Sequence, residues 1–216
     1  MGCQKKTAPS VSPDLIKPSF RYLALGDSYT IGESVAERER YPNQLVDSLK
    51  QHNIQVTYLK NIAKTGWTTD ELKKGIADSD IKDSTFDMVS LLIGVNNQYR
   101  GRSVEEYKTE FRDLLNEAIK RAQGRKNCVF VVSIPDYAYT PFGGGRASIS
   151  QGIDAYNAAN ENVCRTEGVI YVNITPISRE GLKDPSLVAG DKLHPSGKQY
   201  TLWVQLMLPE VVKLLK

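Results

Sequence analysis

The sequence predicts a three-layer α/β/α sandwich around a five-stranded parallel sheet, and three observations support this prediction. Five apolar segments have the length of strands, and most run on without alternating polar residues. Strands of this kind are buried on both faces, as in a parallel sheet. Segments with helical period separate the strands. Right-handed crossovers then place helices on both faces of one sheet.

The predicted strands and helices alternate along the chain without an internal repeat. The strands are expected at 22–25, 54–59, 88–93, 129–134 and 169–174. The clearest helix begins after Ser103, which forms a capping-box pattern with Glu106, and Gly124 ends it. Further helices are expected from Pro42, over Thr69–Ala77, around Ile153, Tyr156 and Val163, and over 197–207, with Pro209 breaking or kinking the last one.

The composition indicates one globular domain over 21–216. The chain has 216 residues, of which 40% are hydrophobic and 25% charged. No apolar run approaches the roughly 18 residues of a membrane span. Acidic and basic residues are interspersed and the net charge is only +3, so no nucleic-acid surface is expected. We expect a monomer.

Residues 1–20 are polar and lack periodicity, which predicts a flexible tether. Its Gly2–Cys3 pair resembles the start of a mature bacterial lipoprotein, in which Cys3 would carry the lipid. An ordinary cysteine in a tail is an equally good interpretation. A lipid anchor would place the protein in the bacterial envelope, in the periplasm or on the cell surface, and a cytoplasmic location is the alternative.

The other two cysteines, Cys128 and Cys164, have no metal-ligand spacing. The first opens the fourth strand and the second lies late in the following helix, which returns antiparallel to that strand. The two thiols could therefore be neighbours and form a disulfide, as in an exported protein. Two separate buried thiols that act as small apolar residues are the favoured alternative.

Four polar clusters follow strands or precede the last helix, where ligands bind in open α/β sheets. They are Gly26-Asp27-Ser28-Tyr29, Thr65-Gly66-Trp67, Gly94-Val95-Asn96-Asn97 and Asp191-Lys192-Leu193-His194-Pro195. Each alone has a structural explanation, such as a capping serine or a polar turn. Their joint occurrence at one sheet edge predicts a site.

The residue types of these clusters are those of acyl transfer. A serine hydroxyl becomes nucleophilic when a base removes its proton, and a carboxylate orients the base. Ser28 is the candidate nucleophile, His194 the candidate base and Asp191 the candidate acid, because a spacing of three residues lets the carboxylate reach Nδ1. The other histidine, His52, lies at the polar end of a helix and is expected to be structural.

With these residues the chain resembles the SGNH, or GDSL, hydrolases, whose four letters match Ser28, Gly66, Asn96 and His194. The resemblance implies a flavodoxin-like sandwich, hydrolysis of esters or thioesters, and no metal or organic cofactor. It also implies an oxyanion hole formed by the N–H groups of Ser28 and Gly66 and by the Asn96 side chain. The sequence departs from the family at Asn97, where an aspartate is usual, and at Tyr29, where a leucine is usual.

Six residues beside these motifs are candidates for substrate binding: Asp27, Trp67, Asn97, Tyr99, Arg100 and Phe142. We expect the Asp27 carboxylate mainly to hold the serine turn, and packing is an equal alternative for Trp67. Phe142 opens a glycine-rich loop, 142–146, which is either a substrate gate or a plain connector.

The sequence therefore predicts a serine-dependent carboxylester hydrolase. The strand-end loops are short and polar and no apolar lid is present, which favours short-chain acyl esters, with an acetylated carbohydrate as the leading substrate class. The alternatives are a lysophospholipase or thioesterase of the same fold, and a non-catalytic glycan-binding module.

Overall fold

The computed structural model describes residues 19–81 and 84–216. Cys3 and most of the predicted tether lie outside the described residues. The boundary we drew after residue 20 is two residues late, because Ser19 and Phe20 already belong to the first strand. Its hydrogen bonds to neighbouring strands begin at Ser19.

Five parallel strands form one sheet in the order β2-β1-β3-β4-β5. This order and the helices on both faces confirm the predicted α/β/α sandwich. The strands are β1 (Ser19–Gly26), β2 (Gln55–Ala63), β3 (Met88–Leu92), β4 (Val129–Val132) and β5 (Ile170–Val172).

Eight α-helices cover the sheet within the described residues. Four are short: α1 (Ser28–Ile31), α3 (Thr69–Ala77), α4 (Val95–Tyr99) and α7 (Thr175–Ser178). Four are long: α2 (Tyr41–Gln51), α5 (Val104–Arg121), α6 (Ala147–Glu167) and α8 (Gly197–Leu214). Helix α2 packs against α8, whereas α5 packs between α3 and α6.

Burial along the strands follows their place in the sheet. Every residue of β3 and β4 is buried, as their continuous apolar sequences predict. The two edge strands are less buried: β2 has exposed and half-buried residues, and two of the three β5 residues are half-buried. The expectation that all five strands are buried on both faces is therefore wrong for β2 and β5. The edge position leaves part of β2 uncovered.

Two helix boundaries differ from the sequence prediction. Helix α5 begins after Ser103, whose hydroxyl accepts from Glu106 N, and ends at Arg121, before Gly124. Helix α8 continues through Pro209 to Leu214, so the proline does not end it. Val211 and Val212, both buried, continue the apolar face of buried Met207 past the proline, and this packing keeps the segment helical.

The cysteines that we considered for a disulfide, Cys128 and Cys164, are both free and buried. The disulfide interpretation is therefore wrong, and the alternative of two buried thiols describes them. Of the helices within the described ranges, none combines the length and the apolar character that a membrane span needs.

The carboxyl end of the sheet brings the polar motifs together. Gly26, the last residue of β1, lies beside Ala63 of β2 on one side and Leu92 of β3 on the other. The loops that follow these three strands therefore start side by side. Gly66 lies in the second of these loops, and Ser28 and Asn96 lie in the first turns of the helices that follow the other two, α1 and α4.

Candidate active site

The Ser28 side chain is presented by a tight turn between β1 and α1. Ser28 is the first residue of α1, and Asp27 caps the helix by accepting from Tyr29 N at 3.0 Å. A Cβ at Gly26 would lie 2.1 Å from Thr30 Oγ1 and 2.4 Å from the Leu92 carbonyl oxygen. Only glycine fits between the serine turn and β3, which explains why residue 26 is a glycine.

A chain of hydrogen bonds joins Ser28, His194 and Asp191. His194 Nε2 lies 2.9 Å from Ser28 Oγ, and His194 Nδ1 lies 2.6 Å from Asp191 Oδ2. Ser28 and His194 are almost fully buried, and the Tyr29 ring lies against the imidazole, with centroids 5.1 Å apart. The structure thus brings together the three residues that we expected to act as nucleophile, base and acid.

The Asp191 carboxylate is held in its charged form by its surroundings. Partial burial would raise its pKa, but hydrogen bonds outweigh burial and lower the pKa to about 2. Those bonds come from the His194 ring and backbone N–H, the Leu193 N–H and the Ser34 hydroxyl. The carboxylate therefore stays ionised over the range in which an imidazole titrates.

The three donors that we expected to form an oxyanion hole differ in their hydrogen bonds. The N–H groups of Ser28 and Gly66 have no hydrogen-bond acceptor among the residues described. Asn96 Nδ2 donates to the Trp67 carbonyl at 3.0 Å and makes a long contact of 3.4 Å with Asp27 Oδ2. The Asn96 amide is thus oriented by the loops that carry Gly66 and Ser28.

Helix α4 positions Asn96. Its cap, Gly94, has a φ of 129°, and a Cβ there would lie 2.5 Å from the Tyr107 hydroxyl. The same hydroxyl donates to the Ile93 carbonyl at 2.9 Å. The close packing of Tyr107 on the turn between β3 and α4 therefore requires a glycine at position 94. The same packing fixes the start of α4.

Two of the six candidate substrate-binding residues, Asp27 and Asn97, are fully buried, so their side chains have no exposed surface to offer a substrate. Burial raises the pKa of Asp27 to about 7, against the lowering effect of hydrogen bonds such as the one from Tyr29 N. Asn97 accepts from Thr69 N at 3.1 Å and donates to Thr69 Oγ1 at 2.6 Å. Neither residue is therefore a substrate-binding residue: Asp27 holds the serine turn, which is the role we mainly expected of it, and Asn97 has a structural role.

Trp67 and Arg100 also lie outside the cavity at Ser28. The Trp67 indole packs against Gly75 of α3, where a Cβ would lie 2.1 Å from the ring. Of the two alternatives for Trp67, the structure therefore favours packing over substrate binding. The Arg100 guanidinium donates to the Gly66 carbonyl at 2.7 Å and pairs with Glu71 at 3.3 Å. Arg100 thereby holds the loop that presents the Gly66 N–H.

The remaining two candidates, Tyr99 and Phe142, line a cavity of about 200 Å³ that opens on Ser28. The two residues are 62% and 46% exposed, and their ring centroids lie 6.3 Å apart. The Tyr137 ring packs against both, with its centroid 6.2 Å from that of Tyr99 and 6.3 Å from that of Phe142. These three side chains form what we call the aromatic wall. The other lining residues are Ser28, Tyr29, Val95, Asn96, Leu193 and His194.

The loop that Phe142 opens is tied down by hydrogen bonds. Phe142 N donates to the Lys192 carbonyl at 3.1 Å, which joins the aromatic wall to the loop of Asp191 and His194. Gly144 N and Gly145 N donate to carbonyls at 140 and 138, each at 2.8 Å. These contacts favour a fixed wall over a gate.

Sequence reasoning missed Tyr137 and Ser34. Tyr137 follows β4 by a few residues, so the same strand-end rule that found the other motifs could have identified it. Its hydroxyl donates to Gln98 Oε1 at 2.9 Å. Ser34 lies in an exposed loop without a motif, and no feature of its sequence context indicates its contact with Asp191.

Comparison with known proteins identifies a family for most of the chain. The model of the GDSL-like lipase/acylhydrolase family matches residues 24–202. No curated protein matches the chain. Solved structures do: an acetylxylan esterase, Axe2, of Geobacillus stearothermophilus is 21% identical with a TM-score of 0.70, covering 89% of this chain and 94% of its own.

Two further structures share the fold. TesA is 14% identical with a TM-score of 0.71, covering 92% of this chain and 100% of its own. The psychrotrophic esterase EstA of Pseudoalteromonas sp. is 17% identical with a TM-score of 0.68, covering 89% and 97%. At these identities the likeness shows the sandwich fold alone.

Proposed function

Because the chain belongs to the GDSL-like lipase/acylhydrolase family, we propose that it is a serine-dependent carboxylester hydrolase with Ser28 as nucleophile. The observation that carries the proposal is the chain of hydrogen bonds from Ser28 Oγ to His194 Nε2 at 2.9 Å and from His194 Nδ1 to Asp191 at 2.6 Å. In this arrangement His194 takes the serine proton, and the Asp191 carboxylate stabilises the imidazolium that forms.

The attacked carbonyl oxygen would become an anion beside three donors. Two of them, the N–H groups of Ser28 and Gly66, are free of other acceptors within the described chain. The third is Asn96 Nδ2, whose contact with Asp27 is long enough to leave that hydrogen for the oxyanion. Donors fixed before the reaction stabilise the developing charge without reorganising.

The two half-reactions use the same residues. Collapse of the first tetrahedral intermediate expels the alcohol, which takes the proton from His194, and leaves the acyl group on Ser28 Oγ. Water then gives a proton to His194 and attacks the acyl carbon. Loss of the carboxylic acid returns the proton to Ser28.

The cavity favours a small acyl group. Its volume of about 200 Å³ lies below the roughly 300 Å³ at which pockets begin to hold drug-sized ligands. The aromatic wall offers apolar ring faces beside Ser28, which suit a short acyl chain or the apolar face of a sugar. An acetylated carbohydrate is therefore the proposed substrate class, and the fold relative Axe2, an acetylxylan esterase, is consistent with it.

The proposed location is the bacterial envelope, with a lipid on Cys3. The support comes from the sequence of the tail, because Cys3 lies outside the described residues. When the protein is expressed behind a bacterial lipoprotein signal in cells grown with a labelled fatty acid, we expect it to take up the label and its Cys3→Ser variant not to do so.

The experiment that tests the function is hydrolysis of p-nitrophenyl esters with acyl chains of two to twelve carbons. We expect the highest kcat/KM for acetate or butyrate and no activity in Ser28→Ala. A maximum at the longest chains would favour a lipase or lysophospholipase. Absence of hydrolysis of these esters and of acetylated xylooligosaccharides and acyl thioesters would favour a non-catalytic binding module.

A further inference from the structure

Besides the three residues of the proposed mechanism, a fourth residue contacts their hydrogen-bond chain. The Ser34 hydroxyl donates to Asp191 Oδ2 at 2.8 Å. The same oxygen receives the His194 Nδ1 contact at 2.6 Å. One carboxylate oxygen thus has two side-chain partners, one from the loop after the nucleophile and one from its own loop.

The four polar contacts of the Asp191 carboxylate differ in origin. Oδ1 accepts from the backbone N–H groups of Leu193 and His194, each at 3.0 Å. These contacts and the His194 ring belong to the same short loop as Asp191. Ser34 provides the only tie from this carboxylate to another segment of the described chain, 157 residues away.

The backbone at Ser34 is held in an unusual conformation. Its φ is +64°, in the left-handed region that residues other than glycine, asparagine and aspartate seldom adopt. Hydrogen bonds on either side shape the loop: Glu33 N donates to Ser28 O at 3.0 Å, and Val35 N donates to Gly32 O at 3.3 Å. The first of these connects the loop directly to the nucleophile residue.

From these contacts we infer that Ser34 is a positioning residue that fixes the Asp191 carboxylate, and through it His194, relative to Ser28. The inference rests on the proposed function, since it assigns a role within the same machinery. The hydroxyl holds the carboxylate from the side of the nucleophile loop. This contact sets the distance between the two loops that carry the reacting groups.

The expected consequence is a slower reaction with unchanged substrate affinity. Ser34 does not line the cavity at Ser28, so its loss leaves the substrate's contacts intact. In Ser34→Gly kcat should fall by about tenfold, the rate equivalent of one hydrogen bond, with KM unchanged. Glycine adopts a positive φ without cost, so this variant removes the hydroxyl and keeps the backbone relaxed.

Two further variants separate the hydroxyl from the loop. Ala36→Gly loosens the same loop without removing a contact of Asp191, and we expect wild-type kcat. Ser34→Thr keeps a hydroxyl at the same position, and we expect it to recover part of the rate lost in Ser34→Gly, because the branched side chain is strained at positive φ.

The deciding measurement does not require turnover. The chain has two histidines, and His52 is exposed at the end of α2, so His52→Gln leaves His194 as the only imidazole. In that background we expect a low-field proton resonance from His194 Nδ1–H in its bond to Asp191. Adding Ser34→Gly should shift or broaden this resonance, whereas adding Ala36→Gly should leave it in place.

An unchanged resonance in Ser34→Gly would overturn the positioning role, whatever the rate of ester hydrolysis. If Ser28→Ala retained full hydrolysis, the proposed function would fail instead. The resonance comparison would still decide the role of Ser34, so the two failures are distinguishable.

Discussion

Asn97 holds Thr69 at two points, accepting from its backbone N–H at 3.1 Å and donating to its hydroxyl at 2.6 Å. The Thr69 hydroxyl in turn donates to the Glu110 carboxylate of α5. This pair ties α4, which carries Asn96, to the start of α3 and the loop of Gly66. Asparagine suits position 97 because its side-chain amide can both accept the Thr69 N–H and donate to the Thr69 hydroxyl.

The first prediction concerns the aspartate that is usual in the family at this position. In Asn97→Asp the Thr69 hydroxyl would lie between two carboxylates, those of Asn97→Asp and Glu110, and its single hydrogen could bond to only one of them. We expect a loss of about 1–3 kcal/mol in the free energy of unfolding at pH 7, measured with urea. Asn116→Asp, an exposed site on α5, is the control for the added charge. Equal stability of both variants would contradict the account.

The second prediction concerns the buried Asp27. Its pKa of about 7 in the folded protein lies above the ordinary value, so between about pH 4 and 7 the folded state binds the extra proton. Stability from this group is therefore greatest at low pH and declines as pH rises to 7. The variant Asp27→Asn does not titrate and keeps an acceptor for Tyr29 N.

Urea unfolding at pH 5 and pH 8 measures this difference. The free energy of unfolding of Asp27→Asn, relative to wild type, should rise by about 2–3 kcal/mol between the two pH values. A difference that stays constant with pH would show that Asp27 is ionised throughout and that burial does not control it.

The fold and most of the site were predictable because they depend on local pattern. Continuous apolar strands predicted the parallel sheet, and the strand-end rule placed Ser28, Gly66 and Asn96 at one edge. The contact of Ser34 with Asp191 was not predictable, because it depends on the path of a loop without a motif. The sequence also left open whether Pro209 breaks or kinks α8, because the packing of the residues beyond the proline decides whether the helix continues.

The third prediction concerns the aromatic wall. Tyr99→Ala and Phe142→Ala should each raise KM for an acetylated xylooligosaccharide several-fold with little change in kcat, because their exposed ring surfaces are available to a bound substrate but lie apart from the hydrogen-bond chain of Ser28, His194 and Asp191. p-Nitrophenyl acetate, which is smaller, should show less change. Tyr58→Ala removes a partly exposed ring on β2, outside the cavity, as a control. Equal effects from all three variants would exclude a substrate-binding wall.

The fourth prediction separates binding from catalysis at Asn96. If Nδ2 donates to the oxyanion, Asn96→Ala should lower kcat by about 10²–10³ and leave KM nearly unchanged, since the bond strengthens only as charge develops. Circular dichroism should show an intact fold. A rise in KM at constant kcat would instead place Asn96 in ground-state binding.

The central claim is that His194 and Asp191 make the Ser28 hydroxyl nucleophilic. A fluorophosphonate reacts with an activated serine, and the mass of the modified peptide identifies the residue. We predict one phosphonyl group on the peptide that contains Ser28 in the wild type, about 10³-fold or more slower labelling in His194→Gln, and none in Ser28→Ala. Labelling of another residue, or equal rates in wild type and His194→Gln, would contradict the account.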